Sequence, residues 1–183
     1  TGSWYTVQTE SGEVLECRIK GKFRLEGIKT TNPVAVGDQV EINIRPDGTP
    51  VIEKIMDRKN YIIRKSTNLS KEAHIIAANL DQAILVATIS HPETSPVFID
   101  RFLVSSEAYR IPAVIIWNKT DLYNEDELFM LDVFMAEYQK IGYPCIAVSA
   151  INGNGIEEVK SLLKNKVSVL SGLSGVGKST LIN

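Results

Sequence analysis

Two patterns in the sequence predict an α/β protein with two domains. Residues 1–66 hold short alternating apolar runs between turn signals, which is typical of a small β-barrel, and we predict an OB-like fold there. Residues 67–183 hold continuous apolar runs that alternate with helical patterns, which is typical of a parallel sheet with helices on its faces. With 44% hydrophobic and 23% charged residues, the 183-residue chain can bury two small cores.

The first predicted domain contains four β-patterned runs, at residues 4–7, 14–19, 40–44 and 51–55. Turn signals separate these runs, at residues 10–12, 37–38 and 46–48. Because the spacing differs from that of alternating strands and helices, we expect the four strands to form an antiparallel barrel.

One stretch of this domain alternates apolar residues with four cations. The cations are Arg18, Lys20, Lys22 and Arg24. An extended chain would place them on one face, which favours a nucleic acid-binding surface. A solvated strand face would show the same pattern, so both interpretations stand at this stage.

Residues 58–66 are rich in basic side chains and lose the alternating pattern. The polar residues 67–72 follow them. We therefore predict a basic connector at 58–66 and a domain boundary between residues 66 and 67.

Apolar runs and helical patterns alternate along the second predicted domain. The predicted strands are residues 83–89, 113–117, 145–148 and 167–170. Ser95 and Pro96 predict the start of a helix that runs to about residue 110. A capping box at Asn124 and Glu127 predicts a second helix that stops at Gly142, and a short third helix is expected at about 155–164.

Composition limits the class of protein further. The sequence has no run of about twenty apolar residues and no basic-then-apolar leader, so we expect no membrane span, no signal peptide and a cytoplasmic location. Cys17 and Cys145 lie far apart in strand-like apolar patterns, which favours buried reduced thiols. With His74 and His91 as the two histidines, no structural zinc site is predicted in these residues.

Residues 172–179 fit the phosphate-binding loop pattern G-x-x-x-x-G-K-[ST] without a mismatch. We expect the loop amides to surround phosphates, Lys178 to contact the β- and γ-phosphates, and Ser179 to bind Mg²⁺. The residues predicted to line this site are Gly172, Leu173, Ser174, Gly175, Val176, Gly177, Lys178, Ser179 and Thr180. The alternative is a Gly/Ser-rich turn between a strand and a helix.

Two further polar segments directly follow predicted strands. Asn118, Lys119 and Asp121 come from an N-K-x-D tetrapeptide after the strand that ends at residue 117. Ser149 and Ala150 follow the strand that ends at residue 148. Because ligands bind at the carboxyl ends of strands in an open parallel sheet, both segments and the phosphate loop are expected to meet at one nucleotide.

The chemistry of these segments favours guanine. The Asp121 carboxylate can accept from both N1–H and the exocyclic amine of guanine, whereas adenine offers an acceptor at N1. Asn118 can bond the base and tie its loop to the phosphate loop, the Lys119 stem can lie over the ring, and the Ala150 N–H can donate to O6. Alone, the tetrapeptide also fits a polar turn that caps a helix. A P-loop ATPase or kinase is disfavoured mainly by Asp121.

The order N-K-x-D, then S-A, then phosphate loop resembles the circularly permuted GTPases of the RsgA (YjeQ/EngC) family. Residues 37–41 (GDQVE) and 77–82 (AANLDQ) are similar to that family's versions of these segments. The resemblance implies a circularly permuted P-loop GTPase domain after the OB-like domain, with GTP, GDP and Mg²⁺ as ligands. It also implies a bacterial cytoplasmic factor that contacts ribosomal RNA and acts late in maturation of the small ribosomal subunit.

The sequence stops four residues after Ser179, so we expect it to be the front part of such a domain. The family's switch regions, its D-x-x-G magnesium motif and its C-terminal zinc-binding domain are expected to lie outside it. The hydrolytic residue is therefore unknown, and these residues alone are expected to hydrolyse GTP weakly or not at all. An RNA-binding module that senses GTP is the alternative function, and a monomer is the expected state.

Overall fold

The computed structural model describes residues 4–19, 33–65 and 73–183, in two compact units, Thr1–Asn79 and Leu80–Asn183. The second unit is a parallel sheet with helices, preceded by a β-rich unit, and this arrangement confirms the predicted fold class. Within the described residues, no helix is both long enough and apolar enough to cross a membrane.

Four strands of the first unit form a sheet with the order β1-β2-β4-β3. They are β1 (Trp4–Gln8), β2 (Val14–Ile19), β3 (Val40–Ile44) and β4 (Pro50–Ile55). The pairs β1–β2 and β3–β4 are antiparallel, but β2 and β4 run parallel, so the expectation of a wholly antiparallel arrangement is wrong for the central pair. Turn signals specify local hairpins and leave open which strand of the second hairpin meets β2. The OB-like barrel stays a prediction, since residues 20–32 lie outside the described residues.

Part of the predicted connector forms a strand. β5 (Tyr61–Lys65) pairs antiparallel with β6 (Ala73–Ala78) in a two-stranded sheet, so the connector assigned to 58–66 is wrong over 61–65. The apolar, partly β-branched start of β5 favours a strand more than its flanking charges favour a linker. This pairing keeps β6 in the first unit, whereas the sequence prediction divided the domains between residues 66 and 67.

A buried ion pair organises the first unit beside β5. The Arg58 guanidinium donates to both carboxylate oxygens of Asp38 at 2.6 Å, and to the Pro33 carbonyl at 3.0 Å. Both charged side chains are nearly inaccessible, at 8% for Arg58 and 0% for Asp38. Removing one partner of a buried ion pair leaves an unpaired buried charge and strongly destabilises the fold. Arg58, which lies in the predicted basic connector, therefore has a structural role.

The second unit contains a parallel sheet with the order β10-β7-β8-β9. Its strands are β7 (Gln82–Ala87), β8 (Ala113–Trp117), β9 (Cys145–Ala147) and β10 (Ser168–Ser171). Its helices are α1 (Pro96–Ala108), α2 (Glu125–Lys140), α3 (Ile156–Leu163) and α4 (Lys178–Ile182). A short 3-10 turn at Thr120–Leu122 follows β8.

Alternation along the central strands divides the core between the two faces of the sheet. Leu85 in β7 packs into a cluster with residues of α1 and α2, whereas Ile84 packs on the other face with Val159 of α3. Helix starts agree with the sequence: Ser95 caps α1, and the Asn124–Glu127 capping box is present with both bonds at 2.9 Å. These caps fix where each helix begins and therefore where the preceding loop must end.

Packing settles the prediction for the two cysteines. Cys17 and Cys145 are buried and free, as predicted. Burial raises the pKa of the Cys145 thiol to about 11, so this side chain is an inert core residue.

Candidate functional site

Three loops meet at the carboxyl edge of the parallel sheet, and one amide connects them. Asn118, which follows β8 and is 1% exposed, donates from Nδ2 to the Val176 carbonyl at 2.9 Å. Its Oδ1 accepts from the Ala150 N–H at 3.2 Å. The predicted tie between Asn118 and the phosphate loop is confirmed, and the same side chain also holds the loop after β9.

Two glycines of the phosphate loop sit where a larger residue would collide. A Cβ on Gly177 would lie 2.3 Å from Asn118 Nδ2, and the residue has a φ of +94°. A Cβ on Gly172 would lie 2.3 Å from the Val86 carbonyl oxygen, at a φ of +145°. Glycine is needed at both positions, because a side chain would collide and because the backbone conformation is left-handed. The loop backbone therefore packs directly against the Asn118 amide and the Val86 carbonyl.

The rest of the phosphate loop combines a buried apolar residue with exposed polar ones. The Val176 side chain is fully buried in the core cluster below the loop. Lys178 donates from Nζ to the carbonyls of Gly172 at 2.9 Å and Leu173 at 2.7 Å. Four of the predicted residues are exposed, namely Ser174, Gly175, Ser179 and Thr180.

Asp121 is exposed, but one of its oxygens is fixed by a buried hydroxyl. Ser149, which is 0% exposed, donates from Oγ to Asp121 Oδ1 at 2.5 Å. The same hydroxyl accepts from the Asn152 N–H at 3.1 Å. The sequence had marked Ser149 only as the neighbour of Ala150, and its role in orienting the Asp121 carboxylate was missed.

Lys119 contacts a loop that sequence reasoning did not select. It has a left-handed backbone, with φ 69°, and its ammonium donates to the His91 carbonyl in the loop between β7 and α1. The placement of its stem over a base stays a prediction. We call residues 88–95 the β7–α1 loop.

Tyr123 is a second residue that the sequence did not reveal. It is 9% exposed, and its hydroxyl donates to the Asn118 carbonyl at 2.5 Å and accepts from the Ile89 N–H at 2.9 Å. Burial raises the pKa of Tyr123 to about 12, so the phenol keeps the proton that it donates. Its position two residues after Asp121 was a possible signal, but a buried aromatic there is equally expected of an ordinary core.

Of the four cations predicted as a nucleic acid surface, only Arg18 belongs to the described residues. Its guanidinium carbon stacks 4.3 Å from the ring centre of Trp4, which is 50% exposed. Lys20, Lys22 and Arg24 lie outside the described residues.

Comparison with known families covers nearly the whole chain. The model described as "RsgA GTPase" matches residues 55–183, and the model described as "RsgA N-terminal domain" matches residues 1–52. The chain belongs to the RsgA GTPase family. This family membership agrees with the motif order, in which the N-K-x-D segment and the Ser149–Ala150 segment both precede the phosphate loop.

Individual proteins and solved structures are similar to all or nearly all of the chain. Proteins named small ribosomal subunit biogenesis GTPase RsgA from Phocaeicola vulgatus and Bacteroides thetaiotaomicron (RsgA 2) are 61% and 60% identical over 100% of this chain and 59% of their own length. The crystal structure of YjeQ from Thermotoga maritima is 43% identical, with a TM-score of 0.80 over 98% of this chain and 60% of that one. The structure of YloQ, described as a circularly permuted GTPase, is 31% identical with a TM-score of 0.77, over 99% of this chain and 60% of that one.

Proposed function

We propose that the carboxyl edge of the second unit binds guanine nucleotides. The observation that carries this proposal is the hydrogen bond from buried Ser149 to Asp121, which orients an exposed carboxylate beside loops joined by Asn118. A carboxylate held in this way can accept from both N1–H and the 2-amino group of guanine. Adenine would leave the charge without a donor, and a site built around such bonds rejects the wrong base by about 10⁴-fold.

The phosphate loop fits the triphosphate of such a nucleotide. Gly172 and Gly177 leave no room for a Cβ against Val86 and Asn118, so the loop can pack closely on the strand ends. Backbone amides of such a loop can donate to phosphate oxygens. Lys178, which donates to carbonyls of its own loop, is the expected cation for the β- and γ-phosphates. The exposed Ser179 hydroxyl on α4 is the expected protein ligand of Mg²⁺, which neutralises charge on the phosphates.

For the whole protein we propose GTP hydrolysis coupled to late maturation of the small ribosomal subunit. Relatives that are up to 61% identical to this chain carry the name small ribosomal subunit biogenesis GTPase, and the chain spans 59% of their length. Unassisted GTPases turn over at about 10⁻⁴ to 10⁻² s⁻¹, so stimulation by the ribosomal subunit is expected. We propose further that the whole protein is cytoplasmic, is a monomer and holds zinc in another domain. Metal analysis of the intact protein tests the zinc, and mass measurement in solution tests the monomer.

Nucleotide titration of the intact protein tests the guanine proposal. We expect GTP and GDP to bind at least about 100-fold more tightly than ATP and ADP, since the Asp121 carboxylate pairs with guanine only. GTP turnover should then be measured with and without small subunits. Equal affinity for ADP and GDP contradicts the proposed site, whereas guanine selectivity without subunit-stimulated turnover favours the alternative of an RNA-binding module that senses GTP.

We propose further that the first unit contacts ribosomal RNA through Arg18, Lys20, Lys22 and Arg24. The stacked Arg18–Trp4 pair is exposed and combines a cation with an aromatic ring, which are the two groups that hold single-stranded RNA. The logarithm of the binding constant falls linearly with the logarithm of the salt concentration. Neutralising one cation that pairs with an RNA phosphate should reduce the steepness of this line by about 0.9 for duplex RNA or about 0.7 for single strands. Lys54→Gln, at an exposed cation paired with Glu41, is the control. If neutralising all four cations leaves binding to the small subunit unchanged, these side chains form a solvated face and do not contact RNA.

A further inference from the structure

The β7–α1 loop is closed on itself by hydrogen bonds between its two ends. The Thr94 N–H donates to the Thr88 carbonyl at 2.9 Å, and the Thr88 N–H donates to Thr94 Oγ1 at 3.1 Å. The Thr88 hydroxyl also donates to the Pro92 carbonyl. Both threonines are almost completely buried, at 0% and 2% exposed. These three bonds tie the two ends of the loop together.

This loop touches both halves of the proposed nucleotide site. On the base side, the Ile89 N–H donates to the Tyr123 hydroxyl and the His91 carbonyl accepts from Lys119. On the phosphate side, a Cβ on Gly175 would lie 3.6 Å from Pro92 Cδ, so the proline ring borders the phosphate loop. The loop therefore links the N-K-x-D segment to the phosphate loop by a route that is separate from the Asn118 side chain.

Tyr123 closes the segment that carries Asp121. Its hydroxyl returns to the carbonyl of Asn118, so residues 118–123 form a ring that contains the 3-10 turn Thr120–Leu122. The Leu122 N–H donates to the Lys119 carbonyl at 2.9 Å inside this ring. Ser149 thus holds the carboxylate of Asp121, and the closed segment 118–123 holds its backbone.

We propose that Tyr123 is a positioning residue for guanine recognition, because its hydroxyl fixes the backbone of Asn118 and Asp121 against the β7–α1 loop. This inference rests on the proposed guanine site. Removing the hydroxyl would leave two backbone groups without a partner, the buried Asn118 carbonyl and the Ile89 N–H, and buried unpaired groups are costly. The segment would shift until water or other polar groups supplied a donor to the carbonyl and an acceptor to the N–H, and the Asp121 carboxylate would leave its alignment with the base edge.

Comparing Tyr123→Phe with Tyr138→Phe in the intact protein tests the proposal. Tyr138 is equally buried, at 6% exposed, and its hydroxyl bonds Asp100 at 3.0 Å between α2 and α1. Each variant loses one oxygen from the same core cluster, so unfolding midpoints measured in urea should fall for both. The affinities for GDP, inosine diphosphate and ADP are then measured by calorimetry.

Inosine lacks the 2-amino group, so the ratio of GDP to inosine diphosphate affinity reports the Asp121 contact. We expect Tyr123→Phe to weaken GDP binding by about tenfold, the effect of one buried hydrogen bond of ordinary strength. The GDP-to-inosine diphosphate ratio should fall by about threefold or more, since a displaced carboxylate loses most on the 2-amino group. Tyr138→Phe should leave both the GDP affinity and the ratio as in wild type.

Three outcomes distinguish the possibilities. An unchanged ratio in Tyr123→Phe overturns the inference, whether GDP affinity is retained or both nucleotides weaken equally as for a merely structural residue. Wild-type protein that binds ADP as tightly as GDP contradicts the proposed function instead. If Tyr123→Phe does not fold, amide hydrogen exchange at Ile89 of wild-type protein decides: we expect stronger protection with GDP than with inosine diphosphate, and equal protection overturns the inference.

Discussion

The two halves of the candidate site are held in different ways. On the base side, side chains hold one another and the backbone, as in the bond from Ser149 to Asp121 and the bonds of Asn118. On the phosphate side, the shape of the backbone dominates, with Gly172 and Gly177 in conformations and spaces that a side chain cannot share. Lys178 donates to carbonyls of its own loop.

This difference predicts how each half fails. Changes of chemistry at constant size should damage the base side, since a carboxylate, hydroxyl or amide is replaced by a group with other donors. Changes of size should damage the phosphate side, since the loop depends on close approach of backbone atoms. Asn118 belongs to both halves, and a collision at its amide should weaken the whole site.

The largest expected effect is on the base side, from Asp121→Asn. An amide in place of the carboxylate loses two charge-assisted bonds to guanine, so GDP affinity should fall by about 100- to 1000-fold. The amide can donate to the 2-oxo group of xanthine, so xanthosine diphosphate should become the preferred ligand. Titration with both nucleotides measures the switch, and Asp126→Asn on the exposed first turn of α2 is the control. Retained preference for GDP would show that Asp121 does not read the base.

Gly177→Ala should come next and should affect the phosphate side. Its methyl group would lie 2.3 Å from Asn118 Nδ2, so either the loop or the amide must move. With backbone strain and the lost buried bond each at about 1 kcal/mol, the lower end of their ranges, GDP binding should weaken by about 30-fold. Gly142→Ala is the matched control, since it has a φ of +98° and no atom within 4 Å of the added group. Equal GDP affinity in the two variants would show that the collision with Asn118 does not weaken the site.

A smaller effect is expected from Ser149→Ala, again on the base side. Loss of the hydroxyl frees the Asp121 carboxylate from one hydrogen bond, and a bond to a charged group is worth about 1.5–3 kcal/mol, or roughly tenfold or more in GDP affinity. The GDP-to-inosine diphosphate ratio should fall with it. Ser161→Ala removes an exposed hydroxyl on α3 that is bonded to the Glu157 carbonyl at 2.9 Å, and this control should change neither quantity. An unaltered ratio in Ser149→Ala would mean that Asp121 is positioned without the serine.

Gly175→Ala should have the smallest effect, and it sharpens the contrast within the phosphate loop. The glycine has a φ of +85°, but an added Cβ would only make ordinary contact with Pro92, at 3.6 Å. We expect the free energy of unfolding to fall by about 1 kcal/mol from the left-handed backbone, with GDP affinity changed by less than about threefold. A loss of affinity as large as that of Gly177→Ala would mean that backbone conformation, rather than space, controls this half.

Local signals explain which parts of the fold were predictable. The helix starts at Ser95 and Asn124 were predicted because a cap and its partner lie within three residues of each other. The strand β5 was missed because its charged neighbours resemble a linker, and only its pairing with β6 stabilises it as a strand. The parallel pairing of β2 with β4 has no local signal either, since it joins Arg18 to Val51 across the first unit.

By itself the sequence determined which motifs are the candidates for nucleotide binding, because the residues of a phosphate loop or an N-K-x-D segment are close together and their chemistry can be inferred from residue type. Only the tertiary structure decided how these motifs are held. Asn118 meets Val176 across 58 positions of the chain, and Ile89 meets Tyr123 across 34. Such bonds depend on which strand ends lie side by side in the sheet, and no pattern within either segment specifies that. The contacts of the Tyr123 hydroxyl with Ile89 and Asn118 therefore depend on the pairing of β7 with β8.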